Sequence, residues 1–599
     1  MELPLLTDLY QFTMAYGYWR SGRHQEAAEF ELFFREPPFQ GGFTIYCGLE
    51  ESLKFLRGFC FSRTDTDYLR SVMPSTVEEG FFRYLETVNA GEVTVTSFPE
   101  GSVVFPREPL MKVRGPLLVV QLLETTLLCL VNYASLVATN AARFRLAVGP
   151  EKRLLEMGLR RAQGPDGGLS ASKYSYVGGF DCTSNVLAGK RFGIPVAGTV
   201  AHSYVASFSS TDEVKHPALR QAGGQGEEVD FLKLCQTWLE EVSRLLELPP
   251  HSTNTGELAA FISYALAFPL SFLVVVDTYS VMMSGVPNFC AVALALHQLG
   301  YKAVGVRLDS GDLARQSVEI RKIFRRCAER FDVPALETLS IAVSNNISEK
   351  SLKLLTQAKN EINVIGVGTH LVTCTLQPSL GCVYKLVQVN DQPRMKLSED
   401  KEKTTIPGSK AIYRLYDGSD QPLLDLMALE GEPPPEIGKE VNIYELGKNT
   451  EIQTVTPLRA ELLHRVYFRN GQVRRRRVVV MPPCRNIPPG LAGNPGLAVP
   501  YVIIGRNDSR RAAPSRPDLS QGWISGRGDG EAAQSSIRTP QKQQTVQSRP
   551  APILHRKLTI SCDTGFLSGD RPYAIVAYVN HHGGTKCHAA VRKATPSLA

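Results

Sequence analysis

Between Leu154 and Thr369 one pattern recurs: a short apolar stretch ends in polar or glycine residues, and a stretch with helical spacing follows. The strand-like stretches and their polar ends are Leu155–Arg161, Val196–His202, Phe272–Asp277, Val304–Asp309, Ile341–Asn345 and Val364–Thr369. Helical spacing covers Phe231–Leu246, Glu257–Ala267, Phe289–Leu299, Ala314–Arg330 and Glu349–Ala358. Strands that alternate with helices pair in parallel through right-handed crossovers. Closing such a sheet on itself is the simplest way to bury six strands. The expected class is α/β, with a TIM-like barrel. Chemistry in such barrels sits on the loops at the carboxyl ends of the strands. All six polar ends fall there.

The stretch Ala303–Asp312 shows what that placement offers. Side chains alternate across a strand, so Arg307 and Asp309 share one face while Val304, Val306 and Leu308 share the other. Ala303 and Gly305 continue the polar face with small residues, leaving room for a ligand. Ser310-Gly311-Asp312 turns the chain, and Asp312 is typed to cap the helix that Leu313 begins. A guanidinium and a carboxylate at a strand mouth suit an anionic ligand with hydroxyl groups, although an ordinary exposed ion pair has the same pattern.

The rest of the chain divides around this core. Residues 1–115 alternate short strand-like and helical pieces and read as the first part of an α+β module. Residues 116–375 contain the barrel, entered through a long apolar helix over Leu117–Ala138. Residues 376–473 return to short strands and complete the α+β module. Residues 474–599 are rich in Pro, Gly, Ser, Arg and Gln with little periodicity, a composition that predicts disorder. The formal charge of +7 belongs to this tail, which carries 19 Lys+Arg against 6 Asp+Glu and leaves 47 against 53 in residues 1–473. No nucleic-acid-binding role is expected for the folded part. Twelve cysteines without metal spacing predict reduced thiols. With no leader pattern and no apolar run expected to cross a membrane, the predicted location is the cytosol.

Several mouth residues suit phosphate and sugar chemistry. Arg160 and Arg161 place two guanidinium groups at one strand end. Ser344-Asn345-Asn346 and Gly366-Val367-Gly368-Thr369 could each offer backbone N–H groups and short polar side chains to a phosphate. Asp277 and Asp309 end successive strands, where ribose hydroxyls or a magnesium ion could be held. His202, among small and hydroxyl residues, has room to act as a nucleophile or proton carrier.

Pro4–Gln11, Gly178–Asn185, Gly198–Ser203, Val306–Asp312 and Val364–Thr369, in this order, together resemble the nicotinate phosphoribosyltransferase family, over a span from about Leu3 to about Gln472. The resemblance implies a type II phosphoribosyltransferase, with an irregular barrel and a second α+β domain built from both chain ends. The family joins nicotinate to phosphoribosyl pyrophosphate, giving nicotinate mononucleotide and pyrophosphate, with ATP hydrolysis coupled through a phosphohistidine. It implies that Tyr10 stacks on the pyridine ring from the partner subunit, making a homodimer with shared sites, and that Phe180 contacts substrate. In that chemistry Arg307 would pair with the nicotinate carboxylate, with Thr199 hydrogen bonding nearby. Asp277 and Asp309 would hold ribose and magnesium, or manganese in its place. Arg160 and Arg161 would hold pyrophosphate or ATP phosphates, and Asn345, Gly368 and Thr369 the ribose 5-phosphate. His202 would carry the phosphoryl group. Lys396, Ser398, Lys403 and Lys410 resemble a family loop that covers the site, and read equally well as a solvated charged loop.

The nicotinamide-using relatives carry an aspartate just before the Val196-Ala197-Gly198 turn; Ile194-Pro195 stand here, favouring the acid substrate. A quinolinate-using enzyme would need more cations. A catalytically impaired isoform with a binding role is the other alternative, suggested by the short start and by the tail that stands where the family's last helical segment belongs.

Overall fold

The computed structural model describes residues 4–224, 227–400, 403–443, 445–446 and 453–474, with 575–580 and 587–592. Six short strands form its centre: β1 (Arg153–Glu156), β2 (Cys182–Thr183), β3 (Leu273–Val275), β4 (Gly305–Leu308), β5 (Ser340–Val343) and β6 (Val364–Val367). They pair in parallel in the order β3-β4-β5-β6-β1-β2. Val274, Val306, Ile341, Ile365 and their neighbours are fully buried, as near-continuous apolar runs must be when helices cover a parallel sheet. Gly305 illustrates how tightly the strands pack. A Cβ there would lie 1.9 Å from the Ser340 carbonyl oxygen, so no side chain fits between β4 and β5.

The ring is irregular. Val196–His202, expected as a strand, joins the sheet through one parallel bridge from Thr183 to Val196, and His202 already opens the short helix His202–Ala206. Gly198 and the helix start leave this segment no length for a ladder. Side chains rather than strand hydrogen bonds link it to β3 and β4, as described below. The helices of the repeat fall close to expectation, at Phe231–Leu246, Thr255–Ala267, Val286–Gln298, Leu313–Arg330 and Glu349–Gln357. Asp312 caps the fourth of these by accepting from the Arg315 N–H at 3.0 Å.

The apolar stretch after Pro116 makes two helices, Leu117–Leu122 and Glu124–Val148. The second and the segment Val281–Gln298 are long and apolar enough to cross a membrane, contrary to the expectation that no stretch is; 61% and 72% of their most apolar windows are buried inside the protein, as in core helices.

A seven-stranded antiparallel sheet flanks the barrel, in the order Gln392–Pro393, Cys382–Val389, Ala27–Phe34, Met111–Pro116, Thr94–Ser97, Arg465–Arg469, Gln472–Val473. Both ends of the folded chain therefore enter one sheet. Residues 410–462 add more than a completion of that module. Lys410–Tyr416, Pro422–Leu429 and Arg459–Leu462 belong to a second antiparallel sheet with a small core of its own around Leu415, Leu426 and Ile443. Two strands of the tail, Ile575–Asn580 and Cys587–Arg592, pair with each other and add to this sheet beside Leu424–Met427. The expectation of disorder is corrected for these twelve residues. Ile575-Val576-Ala577-Tyr578-Val579 is rich in β-branched and aromatic residues, a local signal that the composition of the whole tail hides. The remainder of 475–599 lies outside the described residues.

Candidate active site

The polar strand ends converge on one mouth. Arg307 projects from β4, and its Nη1 donates to Thr199 Oγ1 across the open side of the ring at 2.8 Å. Its Nη2 lies 3.7 Å from Asp309 Oδ2, which sets Arg307 and Asp309 on one face, as their alternation predicts. Arg307 is 9% exposed, and its Nε has no partner. Burial lowers the guanidinium pKa and Arg160 lowers it further, while Asp309 and Asp277 oppose both. A guanidinium remains charged under any such shift. The site thus holds a buried cation whose Nε–H has no hydrogen-bond partner.

The acid pair lies beside it. Asp277 Oδ2 accepts from the Asp309 N–H at 3.0 Å and from the Ser310 hydroxyl. Asp277 Oδ1 is buried and unpartnered. Asp309 Oδ1 accepts from Ser344 Oγ at 2.7 Å, tying the pair to the loop after β5. His202 faces both carboxylates, with Nε2 at 3.8 Å from Asp277 Oδ1 and 3.7 Å from Asp309 Oδ2. Its Nδ1 lies 3.0 Å from Thr278 Oγ1. When Thr278 accepts from Nδ1–H, the Nε2 lone pair is directed toward the mouth. Thr199 hydrogen bonds next to Arg307. Its hydroxyl accepts from Arg307 and donates to the Val200 carbonyl, so it orients the guanidinium.

The loops after β5, β6 and β1 lie side by side. Asn345 and Asn346 both have positive φ, 108° and 49°, in the left-handed region that non-glycine residues seldom adopt. His370 Nε2 meets Asn346 Oδ1 at 3.0 Å, joining this turn to the Gly368–Thr369 turn, where the helix Thr369–Val372 begins. A Cβ at Gly368 would lie 3.4 Å from the Met157 carbonyl oxygen, which brings the turn after β1 alongside. Arg160 and Arg161 stand exposed on that turn. Glu156 beneath it is buried, accepting from Ser172, Thr183 and the Gly158 N–H, and burial raises its pKa.

Phe180 and Lys410 lie elsewhere, and Tyr10, expected at the site of a partner subunit, lies outside the mouth of its own chain. Phe180 precedes β2 and so sits at the amino end of a parallel strand, away from the mouth. It is fully buried against Phe144, with the neighbouring Asp181 bonded to Arg145 and to the Leu154 N–H. Tyr10 is 47% exposed on the helix Leu9–Arg20, its hydroxyl 3.5 Å from Glu124 Oε2, and it does not enter the mouth of its own chain. Lys410 is no part of a covering loop: it is 2% exposed, pairs with Glu31 Oε2 at 2.9 Å and donates to the Ile406 and Gly408 carbonyls. Lys396 and Lys403 stay exposed.

Sequence reasoning missed Thr278, which meets His202, and the bonds that the turn residues Ser310 and Ser344 make to Asp277 and Asp309. A hydroxyl next to a strand-end carboxylate was the available signal for Thr278 and Ser310. Glu257 was also missed. It is buried, accepts from Ser284 Oγ at 2.5 Å and from Asn288 Nδ2 at 3.2 Å, and burial raises its pKa to about 7 with a contribution from Asp277. It stands within a run of apolar helix residues, with no local mark of its role.

Among the described residues no cluster of three or more His, Cys, Asp and Glu side chains forms a ready cage for a metal ion. The unpartnered Asp277 Oδ1 beside Asp309 fits a different kind of site. Magnesium commonly takes one or two protein carboxylates and completes its shell with water and substrate phosphates.

Family profiles described as the nicotinate phosphoribosyltransferase N-terminal and C-terminal domains match residues 5–132 and 409–480. Nicotinate phosphoribosyltransferases of Homo sapiens and Bos taurus are 58% and 57% identical to the chain over 470 residues, 78% of this chain and 87% of theirs. One from Arabidopsis thaliana is 51% identical over 489 residues, 81% of this chain and 87% of its own length. The crystal structure of human nicotinic acid phosphoribosyltransferase superposes with a TM-score of 0.72 at 54% identity, covering 78% of this chain and 90% of that one. With 57–58% identity to relatives over 470 residues and a superposition of this quality, the chain belongs to the nicotinate phosphoribosyltransferase family.

Proposed function

We propose that the protein joins nicotinate to phosphoribosyl pyrophosphate, forming nicotinate mononucleotide and releasing pyrophosphate. The observation that carries this reading is the buried Arg307 guanidinium with an unpartnered Nε, facing a carboxylate pair and an imidazole. A planar fork of N–H donors in a low-dielectric site matches a carboxylate on a flat ring. Thr199 holds the fork, and the pyridine nitrogen then points toward the ribose. Its lone pair forms a bond to the anomeric carbon as the carbon–oxygen bond to pyrophosphate breaks. Positive charge builds on the ribose in this step, and the Asp277–Asp309 pair is placed to hold the sugar and to oppose that charge. Asn345, Gly368 and Thr369 cradle the 5-phosphate, with Arg160 and Arg161 on the departing pyrophosphate or on ATP. Magnesium bound by Asp277 and Asp309 would supply charge neutralisation for the leaving group.

His202 is the proposed phosphoryl carrier. Its Nε2 lone pair attacks the terminal phosphorus of ATP and ADP leaves; later attack by water releases inorganic phosphate and restores the imidazole. Tyr10, exposed beside Leu6, Leu9 and Met14, belongs in this reading to a surface that meets a second copy of the chain and reaches its site. A catalytic assignment is favoured over a binding-only isoform because Arg307, Thr199, Asp277, Asp309 and His202 lie within contact of one another.

The test is formation of labelled nicotinate mononucleotide from nicotinate and phosphoribosyl pyrophosphate, with and without ATP, beside a nicotinamide control. Terminally labelled ATP should also leave acid-labile label on the parent and none on His202→Ala. Product from nicotinamide but not from nicotinate would overturn the substrate assignment, and label retained in the variant would remove His202 from the phosphoryl role.

A further inference from the structure

We infer that Glu257 is a positioning residue for the reacting groups, stapling together the two backbone segments that present His202 and Asp277. Neither segment touches the other through a strand ladder, so something else must set their separation.

The evidence is a run of contacts on the far side of the mouth. The helix Thr255–Ala267 starts with Thr255-Gly256-Glu257. A Cβ on Gly256 would lie 2.1 Å from the Phe208 carbonyl oxygen, so the helix start rests directly on the backbone that follows the His202–Ala206 helix. Tyr204, two residues from His202, donates from its hydroxyl to Ser263 Oγ of the same helix at 3.1 Å. The other segment is the turn Val281–Gly285, which follows Asp277-Thr278. A Cβ on Gly285 would lie 2.0 Å from the Val276 carbonyl oxygen, so this turn rests directly on the residue before Asp277. Glu257 and Ser284 adjoin the two close-contact glycines, and they are the pair that bond: Ser284 Oγ donates to Glu257 Oε2 at 2.5 Å.

The bond is locked on both sides. Ser284 Oγ accepts from the Asn254 N–H at 2.8 Å, and Asn288 Nδ2 donates to the Asn254 carbonyl at 3.1 Å and to Glu257 Oε2 at 3.2 Å. All three side chains are buried, at 0% exposure for Glu257 and Asn288 and 2% for Ser284. Glu257 Oε1 and Asn288 Oδ1 have no hydrogen-bond partner, so the geometry rests on the bonds of Glu257 Oε2 and Ser284 Oγ, which any displacement would break away from water. The geometry these bonds specify is that of the 3.0 Å contact between His202 Nδ1 and Thr278 Oγ1. Arg307, on β4, makes no bond to the network and keeps its own bond to Thr199, so nicotinate capture should depend on it less than the rates do.

This inference rests on the proposed function, and the experiment separates the two. Glu257→Gln keeps an acceptor for Ser284, whereas Glu257→Leu removes it at similar size. Both are assayed as full-length protein beside the parent for ATP-independent nicotinate mononucleotide synthesis, for acid-labile label from ATP, and for melting temperature. Glu257→Leu should lower kcat and the rate of labelling at least tenfold with the KM for nicotinate within twofold of the parent, and Glu257→Gln should restore both rates to within threefold. Equal loss in both variants, unchanged kcat in Glu257→Leu, or a parallel rise of KM with loss of melting temperature would overturn the positioning role. An unlabelled parent would count against the phosphohistidine alone, since the kcat comparison without ATP still decides whether Glu257 positions the site.

Discussion

Arg307 is the residue on which substrate choice turns. Its Nη1 donates to Thr199, its Nη2 faces Asp309 at ion-pair distance, and its buried Nε is an unpartnered donor for a ligand carboxylate. Arg307→Ala should cost about 2–4 kcal/mol in kcat/KM for nicotinate, roughly 30- to 900-fold, with little change in the affinity for phosphoribosyl pyrophosphate. Steady-state kinetics with each substrate varied will measure it. His464 gives a pH prediction away from the site. It donates from Nε2 to the Pro109 carbonyl at 2.7 Å, stacks on Phe98, and burial pushes its pKa down to about 3. The unfolded chain binds a proton near pH 6.5 that the folded chain refuses. Stability should therefore be full above pH 6.5 and fall by about 1.4 kcal/mol per pH unit as the pH drops from there toward 3. His464→Phe should flatten that slope in urea titrations at pH 7 and pH 5.

Elements, rather than single groups, decide where the charged residues of the loop around Lys396–Lys410 end up. The strand Lys410–Tyr416 carries Lys410 into the protein against Glu31 of Ala27–Phe34, so a residue that reads as loop charge becomes half of a buried pair. Removing one partner leaves a buried charge uncompensated. Lys410→Met should destabilise the fold by about 3–5 kcal/mol, while Lys403→Ala, at an exposed position, should stay within about 0.5 kcal/mol; thermal melts compare the two. The tail hairpin is the second case. Ile575–Asn580 covers the edge of Pro422–Leu429, and unprotected strand edges invite pairing between molecules. Deleting residues 575–599 should raise light scattering on concentration without altering initial rates.

At the scale of the whole molecule, one chain does not bring Tyr10 to its own mouth. An exposed apolar group of Leu9, Tyr10 and Met14 on the helix Leu9–Arg20, with Leu6 just before it, calls for a covering surface. If a second copy supplies it, Tyr10→Ala and Arg307→Ala, each defective alone, should complement. After co-expression, half of the dimers are mixed, and each of these contains one intact site. Activity should thus return to about a quarter of the parent's, a result that independent sites cannot give.

The alternation of apolar stretches with helical ones was enough to specify parallel strands, helices on their outer faces and chemistry at one end, since these follow from local periodicity and from chain chirality. Arg307 and Asp309 on one face, and the Asp312 cap, were legible for the same reason: they depend on neighbours in sequence. Phe180 was misread because a motif shows which residues stand near a strand but not to which end each is committed until the strand's limits are known. Glu257, the bond from Thr199 to Arg307, and the burial of Lys410 were decided only by tertiary structure. Each is an interaction between residues far apart in the chain, and its energy comes from exclusion of water that no local pattern records.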